Sequence, residues 1–526
     1  MMTKISNAIT TIHSRYFRLA LAALAAAAGV HAQTKWVATW ATAPEPLVSA
    51  QSAYNPPTPS GAPANSGLAN NSVRQVLRVS IGGDTLRMRF TNEYTNVPVR
   101  INAATIAVSA GSGLIDTTTT KFFKFNGNDS VTMPANAYVW SDAMAFNLAP
   151  GSQVQITLYL GPTPTSGSYP GMTVHRGSRT VPRVLMGNHV TDRAFTGAAT
   201  ITMGSWVISS MEVRAPQSAG AVAILGNSIT DGLGVTIDGF NRWSDALTTN
   251  LLAHASTNQV GVLNGGIGAG NLLTGGTSTP GMQRYKRDLF DHSGVKWVMI
   301  LLAVNDIGNS GCSMTTSNNV IAAYTTIADS AHARGLKVYG ATLTPFGGNS
   351  YYSANSEGCR SRINAWVRTT ALSSGKYDAV VDFDKLLRIA PPGDTTRMQT
   401  TYYNDGLHPN IAGYAAMGNF VDTSLFAGAG TAVRPGSGSA AGYALEGVSL
   451  AGARASIRFA IPRETVASFR IYTTRGKEVA TVAARAYAPG PHEAAFDASG
   501  LAGGIYLVSM RAEGFTATRT MALTGR

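Results

Sequence analysis

The stretch Ala221–Gly232, AVAILGNSITDG, decides how the middle of the chain folds. Its five apolar residues from Ala221 to Leu225 are typical of a short buried strand. Gly226 ends this run, and Ser228 follows two positions later. An apolar run, a glycine and then a serine predict an α/β protein that presents a nucleophile at the carboxyl edge of its sheet, where open parallel sheets bind ligands.

A base and an acid for this serine occur together far downstream, in the stretch Asn404–Pro409, NDGLHP. Asp405 and His408 are three residues apart on a turn that leads into the apolar, helix-like run Ile411–Val421. A serine hydroxyl is a weak nucleophile, so it needs a base that an acid orients. The spacing lets the carboxylate fix the tautomer of the imidazole while the other ring nitrogen faces Ser228.

Two other stretches offer hydrogen-bond donors for an oxyanion hole. The stretch Val298–Asp306, VMILLAVND, is typical of a second buried strand, and it ends at Asn305, whose side-chain amide can donate. The glycine-rich turn Asn264–Gly270, NGGIGAG, has small residues that allow close backbone approach. Each stretch alone is a weak signal, and their order and context carry the interpretation.

Taken in order, GNSIT, NGGIGAG, AVND and DGLHP resemble the four motif blocks of the SGNH (GDSL-type) hydrolase superfamily. The resemblance implies a flavodoxin-like, three-layer α/β/α domain with a parallel sheet, and the activity of a carboxylic ester hydrolase. It implies that Ser228, Asp405 and His408 are the catalytic residues. It also implies an oxyanion hole made by the backbone N–H of Ser228, a backbone N–H in the second block and the side chain of Asn305.

Three positions depart from the pattern of that superfamily. Asn227 stands where an aspartate usually precedes the serine, and Ala303 stands where a glycine usually opens the third block. The second-block glycine falls by spacing on Ala269, to whose N–H we assign the second oxyanion contact. Because the triad acid is assigned to Asp405, we expect activity to persist without a charge at position 227. For Asp231, Asp306 and Asp382 we expect loop-capping or structural roles.

Length and charge limit the classes of partner. A chain of 526 residues has room for two to four domains. Lys and Arg exceed Asp and Glu by 41 − 28 = 13, yet only 13% of residues are charged and no dense basic run occurs. We therefore expect no nucleic-acid partner. The positive charge fits attraction to acidic polysaccharide or a cell envelope, and solubility alone also explains it.

The amino terminus predicts export. Basic residues precede the 12-residue apolar run Leu19–Val30, which is too short to span a bilayer. The sequence Val30-His31-Ala32 suits cleavage after Ala32, so residues 1–32 are interpreted as a secretory signal peptide. No later stretch predicts a transmembrane segment. We expect a bacterial protein that is secreted or located at the cell surface.

The chain has two cysteines, Cys312 and Cys359. In an oxidising compartment they are expected to form one disulfide, although two unpaired thiols stay an open alternative. No histidine cluster supports a zinc site around them. The sequence implies no metal and no organic cofactor.

Apolar and polar positions alternate from Val73 onward and again in Val154–Leu160 and Trp206–Val213, which assigns residues 33–215 to an all-β domain of sandwich or jelly-roll type. Leu77, Val79 and Ile81, a turn at Gly82-Gly83-Asp84, and then Leu86, Met88 and Phe90 predict a hairpin. The opening WVATWATAP resembles that of a group of secreted bacterial GDSL-type esterases. His175 and His189 fall in this domain, and we expect them to be ordinary loop or strand residues.

Strand–helix alternation assigns residues 216–427 to the catalytic domain, and Gly, Ala and Ser residues make 428–442 a linker. Residues 443–526 alternate again and predict a small β-sandwich. RIYTTRGKEVATV and LAGGIYLVSM resemble the immunoglobulin-like carboxyl-terminal modules of secreted bacterial enzymes, including type IX sorting domains. The resemblance implies contact with secretion machinery or surface attachment, and a simple spacer is the alternative.

The sequence therefore predicts a secreted serine esterase that acts on acyl esters, first of all acetyl esters, of plant polysaccharides such as xylan or pectin. A lipase, an arylesterase or a feruloyl-type esterase is the alternative, because nothing in the sequence sizes the acyl pocket. Acyl transfer between sugars would use the same triad. A hypothesis of another class is a non-catalytic carbohydrate-binding surface protein with the SGNH fold, for which Asn227 is the supporting feature.

Overall fold

The structure is a computed structural model that describes residues 34–48, 60–62, 67–165, 171–276, 278–308, 312–427, 444–451, 454–473, 477–513 and 515–523. The proposed signal peptide, 1–32, and the proposed linker, 428–442, lie outside the described residues. The chain divides into two compact units, one ending at residue 430 and the other beginning at residue 431.

The first unit opens with antiparallel strands. Their bounds are β1 Thr34–Ala41, β2 Glu45–Pro46, β3 Asn71–Arg78, β4 Gly83–Thr91, β5 Val99–Val108, β6 Lys121–Phe122, β7 Val131–Met133, β8 Tyr138–Trp140, β9 Met144–Leu148, β10 Gln153–Leu160, β11 Thr173–His175, β12 Arg183–Met186, β13 Ala199–Thr200, β14 Ser205–Trp206 and β15 Ile208–Pro216. They form sheets ordered β1-β15-β4-β8, with β9 on β4, then β13-β12-β3-β10-β5-β6, with β7 on β5, and β14-β11-β2.

The predicted hairpin around Gly82 is wrong. Strands β3 and β4 belong to different sheets, because β3 pairs with β10 and β12 whereas β4 pairs with β15, β8 and β9. The alternation was correct about burial, since Leu77 and Phe90 both face the core. Phe90 packs edge-on against Phe123 and Phe125 with ring centroids 5.3 Å apart. The turn therefore carries the chain from one layer to the other.

A five-stranded parallel sheet follows. Its strands are β16 Gly220–Gly226, β17 Val260–Gly266, β18 Val295–Leu301, β19 Lys337–Ala341 and β20 Ala379–Val381. Their order is β17-β16-β18-β19-β20, which is the 2-1-3-4-5 order of flavodoxin-like folds. The prediction of an α/β domain with a parallel sheet is confirmed.

Helices cover this sheet in two groups. Their bounds are α1 Ser228–Asp231, α2 Trp243–Leu252, α3 Gly281–Phe290, α4 Val304–Gly308, α5 Met314–His332, α6 Ala354–Arg368, α7 Thr370–Ser373, α8 Phe383–Leu387 and α9 Ile411–Phe420. Helix α9 packs against α2 and α8, and α5 packs against α3 and α6. One continuous hydrophobic core runs from Val37 in β1 to Phe426, so the antiparallel strands and the α/β sheet are packed together. In the described part of the chain no helix is long and apolar enough to cross a membrane.

A disulfide joins Cys312 to Cys359, across 47 residues of sequence. Cys312 lies just before α5 and Cys359 lies within α6. The predicted pairing is confirmed, and it joins the segment just before α5 to the helix α6.

The second unit consists of antiparallel strands with a core of their own. Their bounds are β21 Ala444–Ala451, β22 Arg454–Ile461, β23 Thr465–Thr473, β24 Glu478–Tyr487, β25 Gly490–Asp497, β26 Gly504–Ala512 and β27 Phe515–Leu523. They form one sheet ordered β21-β22-β25 and another ordered β24-β23-β26-β27. Phe459 in β22 and Phe469 in β23 join the two sheets, with ring centroids 4.8 Å apart.

Candidate active site

The nucleophile candidate lies at a sharp turn after the central strand β16. Gly226 ends the strand, and a Cβ there would lie 2.2 Å from Thr230 Oγ1, so only glycine fits. The Asn227 side chain accepts a hydrogen bond from Ile229 N at 2.9 Å and caps α1. Ser228 is the first residue of α1 and is 5% exposed. Its hydroxyl therefore lies at the carboxyl edge of the parallel sheet.

The structure brings Ser228, His408 and Asp405 together. Ser228 Oγ lies 2.8 Å from His408 Nε2, and His408 Nδ1 lies 2.8 Å from Asp405 Oδ2. Asp405 Oδ1 also accepts the backbone N–H groups of Leu407 and His408, at 3.0 and 2.8 Å. These hydrogen bonds close the DGLH turn around the carboxylate, which explains how two residues three positions apart meet face to face.

The electrostatics of this chain of hydrogen bonds favour a neutral imidazole beside an ionised carboxylate. Burial raises the pKa of Asp405, but hydrogen bonds from His408 and Leu407 outweigh it and hold the pKa below its ordinary value. Burial lowers the pKa of His408, and the Arg179 charge lowers it further, against the opposing effect of Asp405. With its proton on Nδ1, His408 presents an unprotonated Nε2 to the Ser228 hydroxyl.

The three predicted oxyanion donors follow the carboxyl ends of the neighbouring strands β16, β17 and β18. The N–H of Ser228 is at the first position of α1, where helix amides have no partner within the helix. The Asn305 side chain is 2% exposed, and its Nδ2 donates to Gly270 O at 2.8 Å while its Oδ1 accepts from the Tyr351 hydroxyl at 3.1 Å. Asn305 thus ties the second-block loop to α4. A primary amide carries two N–H groups, and the contact with Gly270 O uses one of them.

Both positions where alanine replaces a glycine have positive φ. Ala269 has φ +56° and Ala303 has φ +137°. L-residues with a Cβ adopt these regions at a cost, whereas glycine does not. The backbone that glycine normally provides is therefore retained here with alanine in place.

Asp306 and Asp382, for which we expect structural roles, hold loops in place. Asp306 accepts the backbone N–H groups of Leu272 and Leu273 at 2.7 and 2.9 Å, and burial raises its pKa. Asp382 pairs with Arg368 and caps α8. Among the described residues no cluster of His, Cys, Asp or Glu has the arrangement of a metal site.

Sequence reasoning missed the contribution of β11 and the turn after it. Asp231, one turn after the serine, is 1% exposed, and its Oδ1 lies 3.1 Å from His175 Nε2. Arg176 reaches Ser278 beside the second-block loop. His175 is the last residue of β11, so the expectation of an ordinary strand residue is confirmed, and its contact with Asp231 is the part that the sequence does not predict. No local pattern marks these residues, because each contact joins segments far apart in the sequence.

A flavodoxin-like sheet with a hydrogen-bonded Ser–His–Asp set at its carboxyl edge is the arrangement that serine hydrolases use. Residues 224–416 match the model of the GDSL-like lipase and acylhydrolase family. The chain therefore contains a GDSL/SGNH-type domain over these residues.

The chain is also similar to solved structures. A GDSL-like lipase from Bacteroides thetaiotaomicron VPI-5482 is 19% identical with a TM-score of 0.29, over 39% of this chain and 87% of that chain. A carbohydrate acetylesterase family member from Sinorhizobium meliloti is 14% identical with a TM-score of 0.31, over 39% and 97%. The aryl esterase of M. smegmatis is 19% identical with a TM-score of 0.30, over 40% and 97%. A search of curated proteins gives no match.

Proposed function

We propose that the protein is a serine esterase in which Ser228, His408 and Asp405 form the catalytic triad. The observation that carries the proposal is the pair of 2.8 Å contacts that link the Ser228 hydroxyl to His408 Nε2 and His408 Nδ1 to the Asp405 carboxylate. A serine and an imidazole 180 residues apart meet at hydrogen-bond distance, with the acid on the other ring nitrogen. This is the geometry that general-base activation of a hydroxyl needs.

The proposed reaction is a double displacement. His408 Nε2 takes the hydroxyl proton while Ser228 Oγ bonds to the carbonyl carbon of the ester, and the carbonyl oxygen becomes an oxyanion. The carbon–oxygen bond to the alcohol then breaks, and the alcohol leaves with the proton from His408. Water attacks the acyl-serine by the same steps and releases the acid. Asp405 stabilises the imidazolium in each half-reaction.

The oxyanion is proposed to bind to Ser228 N–H, Ala269 N–H and the second N–H of the Asn305 side chain. Support comes from the position of Ser228 at a helix N-terminus and from the contact between Asn305 Nδ2 and Gly270 O, which holds the donors' two loops together. Loss of one such donor typically lowers kcat by about 10²–10³-fold.

For the substrate we propose acetyl esters of polysaccharide. Two exposed tyrosines are connected to the acid through the chain or through hydrogen bonds, and an exposed aromatic ring can pack against a sugar. Tyr403 precedes Asp405 by two residues. Tyr352 is connected to the acid through Asn349. The Tyr352 N–H donates to the Asn349 carbonyl, and the Asn349 side chain donates to Asp405 O at 3.1 Å. Lipid, aryl and feruloyl esters are the alternatives, since a ring face binds those groups as well.

We also propose that the protein is exported and acts outside the cell. The disulfide between Cys312 and Cys359 supports an oxidising compartment, as does the sequence pattern of residues 1–32. For the second unit we propose a role in secretion or surface attachment, on the resemblance of its sequence to sorting modules. Secretion of full-length and truncated chains by the native host tests both proposals.

The test of the esterase proposal compares the full-length protein with Ser228→Ala and with Ser373→Ala, an exposed serine on α7. We expect hydrolysis of p-nitrophenyl acetate and release of acetate from acetylated xylan by the wild type and Ser373→Ala. Ser228→Ala should lose at least about 10³-fold in kcat. Ferulate and long-chain esters assayed in parallel rank the acyl group.

Hydrolysis that survives in Ser228→Ala would overturn the triad. A wild-type protein that hydrolyses none of these esters but is retained on immobilised polysaccharide would support the non-catalytic binding protein instead.

A further inference from the structure

The turn after β11 packs directly against the nucleophile turn. It comprises the last residue of β11 and the four residues that follow, 175–179, HRGSR, and belongs to the antiparallel part of the first unit. A Cβ at Gly177 would lie 1.6 Å from Asp231 Oδ2, so this position fits against the carboxylate only as glycine. We call residues 175–179 the HRGSR turn.

The HRGSR turn reaches the second-block loop through Arg176. Arg176 Nη2 donates to Ser278 Oγ at 2.7 Å, and the Ser278 hydroxyl donates to Gly268 O at 2.9 Å. The same guanidinium nitrogen donates to Glu45 Oε2 at 2.6 Å, and the Arg176 backbone N–H donates to Glu45 Oε1 at 3.1 Å. Glu45 is 1% exposed, so its buried carboxylate holds the Arg176 guanidinium in the position from which it contacts Ser278.

The two hydrogen bonds from Arg176 to Ser278 and from Ser278 to Gly268 O form a relay. Its last acceptor belongs to the peptide group that carries a proposed oxyanion donor. The carbonyl of Gly268 and the N–H of Ala269 are the two ends of one planar peptide group. A hydrogen bond to the carbonyl fixes the direction of the N–H and also polarises it. Ala269 has φ +56°, a conformation that an alanine leaves readily unless its surroundings hold it.

A second contact from the same turn holds the nucleophile. His175 Nδ1 lies 3.0 Å from Ala43 O, which only accepts, so Nδ1 donates. His175 Nε2 lies 3.1 Å from Asp231 Oδ1 on the other side of the ring. Burial raises the pKa of Asp231, but His175, Arg179 and Arg242 outweigh it and keep the pKa low. The backbone N–H of Asp231 donates to Asn227 O at 2.8 Å, which closes the turn around Ser228.

We propose that Arg176 and Ser278 are positioning residues for the reaction, which hold the Gly268–Ala269 peptide so that its N–H points at the oxyanion. The inference rests on the proposed function and extends it, since it makes the HRGSR turn of the antiparallel part a component of the active site. The His175–Asp231 pair fixes the nucleophile side of the same site.

The test uses the full-length protein and Ser278→Ala, which removes the hydroxyl but leaves the Arg176–Glu45 pair in place. Thr279→Ala is the matched control, because its hydroxyl donates to the Tyr94 hydroxyl at 3.3 Å. Ser278→Thr keeps a hydroxyl and should restore the relay. We expect Ser278→Ala to lower kcat for p-nitrophenyl acetate by about 10–100-fold, less than the loss of an oxyanion donor, with little change in KM.

Thermal unfolding and deuterium uptake separate positioning from general damage. In Ser278→Ala, peptides that cover residues 266–272 should take up deuterium faster, while the melting temperature stays close to that of the wild type. Ser278→Thr should recover most of the rate, and Thr279→Ala should behave as wild type in every measurement.

A Ser278→Ala variant with wild-type kcat, in a protein that Ser228→Ala inactivates, would overturn the positioning role and leave the esterase proposal standing. Equal losses in Ser278→Ala and Thr279→Ala would also overturn it. If the wild type hydrolyses no ester, the esterase proposal fails, and unchanged uptake over residues 266–272 would show that Ser278 does not hold the peptide either.

Discussion

The pKa of His408 reflects burial and two charges of opposite sign. Burial is the largest effect and lowers the pKa, Asp405 raises it and Arg179 lowers it. Because the base must be unprotonated to accept the Ser228 proton, the net effect extends activity toward acid. The pH profile of hydrolysis is therefore the direct measure of this environment.

We predict that kcat/KM rises with pH along a limb whose midpoint lies below 6.5, the ordinary pKa of histidine. Initial rates of p-nitrophenyl acetate hydrolysis between pH 4 and 8 give this midpoint. A midpoint above 6.5 would mean that the imidazole is not desolvated in the free enzyme, contrary to the structure.

Two substitutions should move the limb in opposite directions. Asp405→Asn removes the carboxylate that stabilises the imidazolium, so the residual rate should have a lower midpoint. Arg179→Gln removes a positive charge that opposes protonation, so its midpoint should rise. Shifts of the same sign in both variants would contradict the assignment.

Prediction at the residue scale succeeded where a short stretch of sequence contains the whole motif. The serine after Gly226 and the Asp405–His408 pair each carry their signal within a few residues, and the structure joins them at 2.8 Å. Arg176 and Ser278 carry no such signal, because their meaning lies in a contact across 102 residues. A polar side chain in a β-rich segment looks the same whether it faces water or a neighbouring loop.

At the scale of elements, the turns after β17 and β18 contain residues with a strained backbone. Both lead from a buried strand to a candidate oxyanion donor, and both contain an alanine with positive φ, Ala269 and Ala303. Motif spacing identified both positions as places where glycine is usual. The strain itself was not predictable, because an alanine can also force the loop into another shape.

We predict that Ala269→Gly raises the free energy of unfolding by about 1 kcal/mol, because glycine adopts φ +56° without the steric cost that alanine has. Ala269 is exposed, so no buried methyl is lost. Ala333→Gly is the control of opposite sign, since Ala333 is exposed with φ −60° and glycine there should cost about 0.5–1 kcal/mol. Urea unfolding measures both, and a loss of stability in Ala269→Gly would refute the strain.

Strand pairing was the weaker part of the prediction of elements. Alternation located β3 and β4 and the faces they bury, but it contains no information about the partner of a strand. The short turn at Gly82 favoured a hairpin. Packing in two layers instead sends the strands to different sheets, because each finds neighbours that come much later in the chain, β10 and β15.

At the scale of the whole molecule, each compact unit has a hydrophobic core of its own. We predict that a chain ending at Ala427 folds and hydrolyses p-nitrophenyl acetate with unchanged kcat/KM, because the triad and the HRGSR turn all precede that residue. Circular dichroism and steady-state kinetics on the truncated chain provide the check. An unfolded or inactive product would show that the second unit stabilises the first.

The HRGSR turn has a consequence for the design of chimeras of this protein. Residues 224–416 match the family model, yet Arg176 and His175 lie before that range. A chimera that exchanges only the matched range with a homologue would separate Ser278 from Arg176, and a mutational library confined to that range would leave out half of the relay. An exchange of residues 34–427 as one block would keep both partners together.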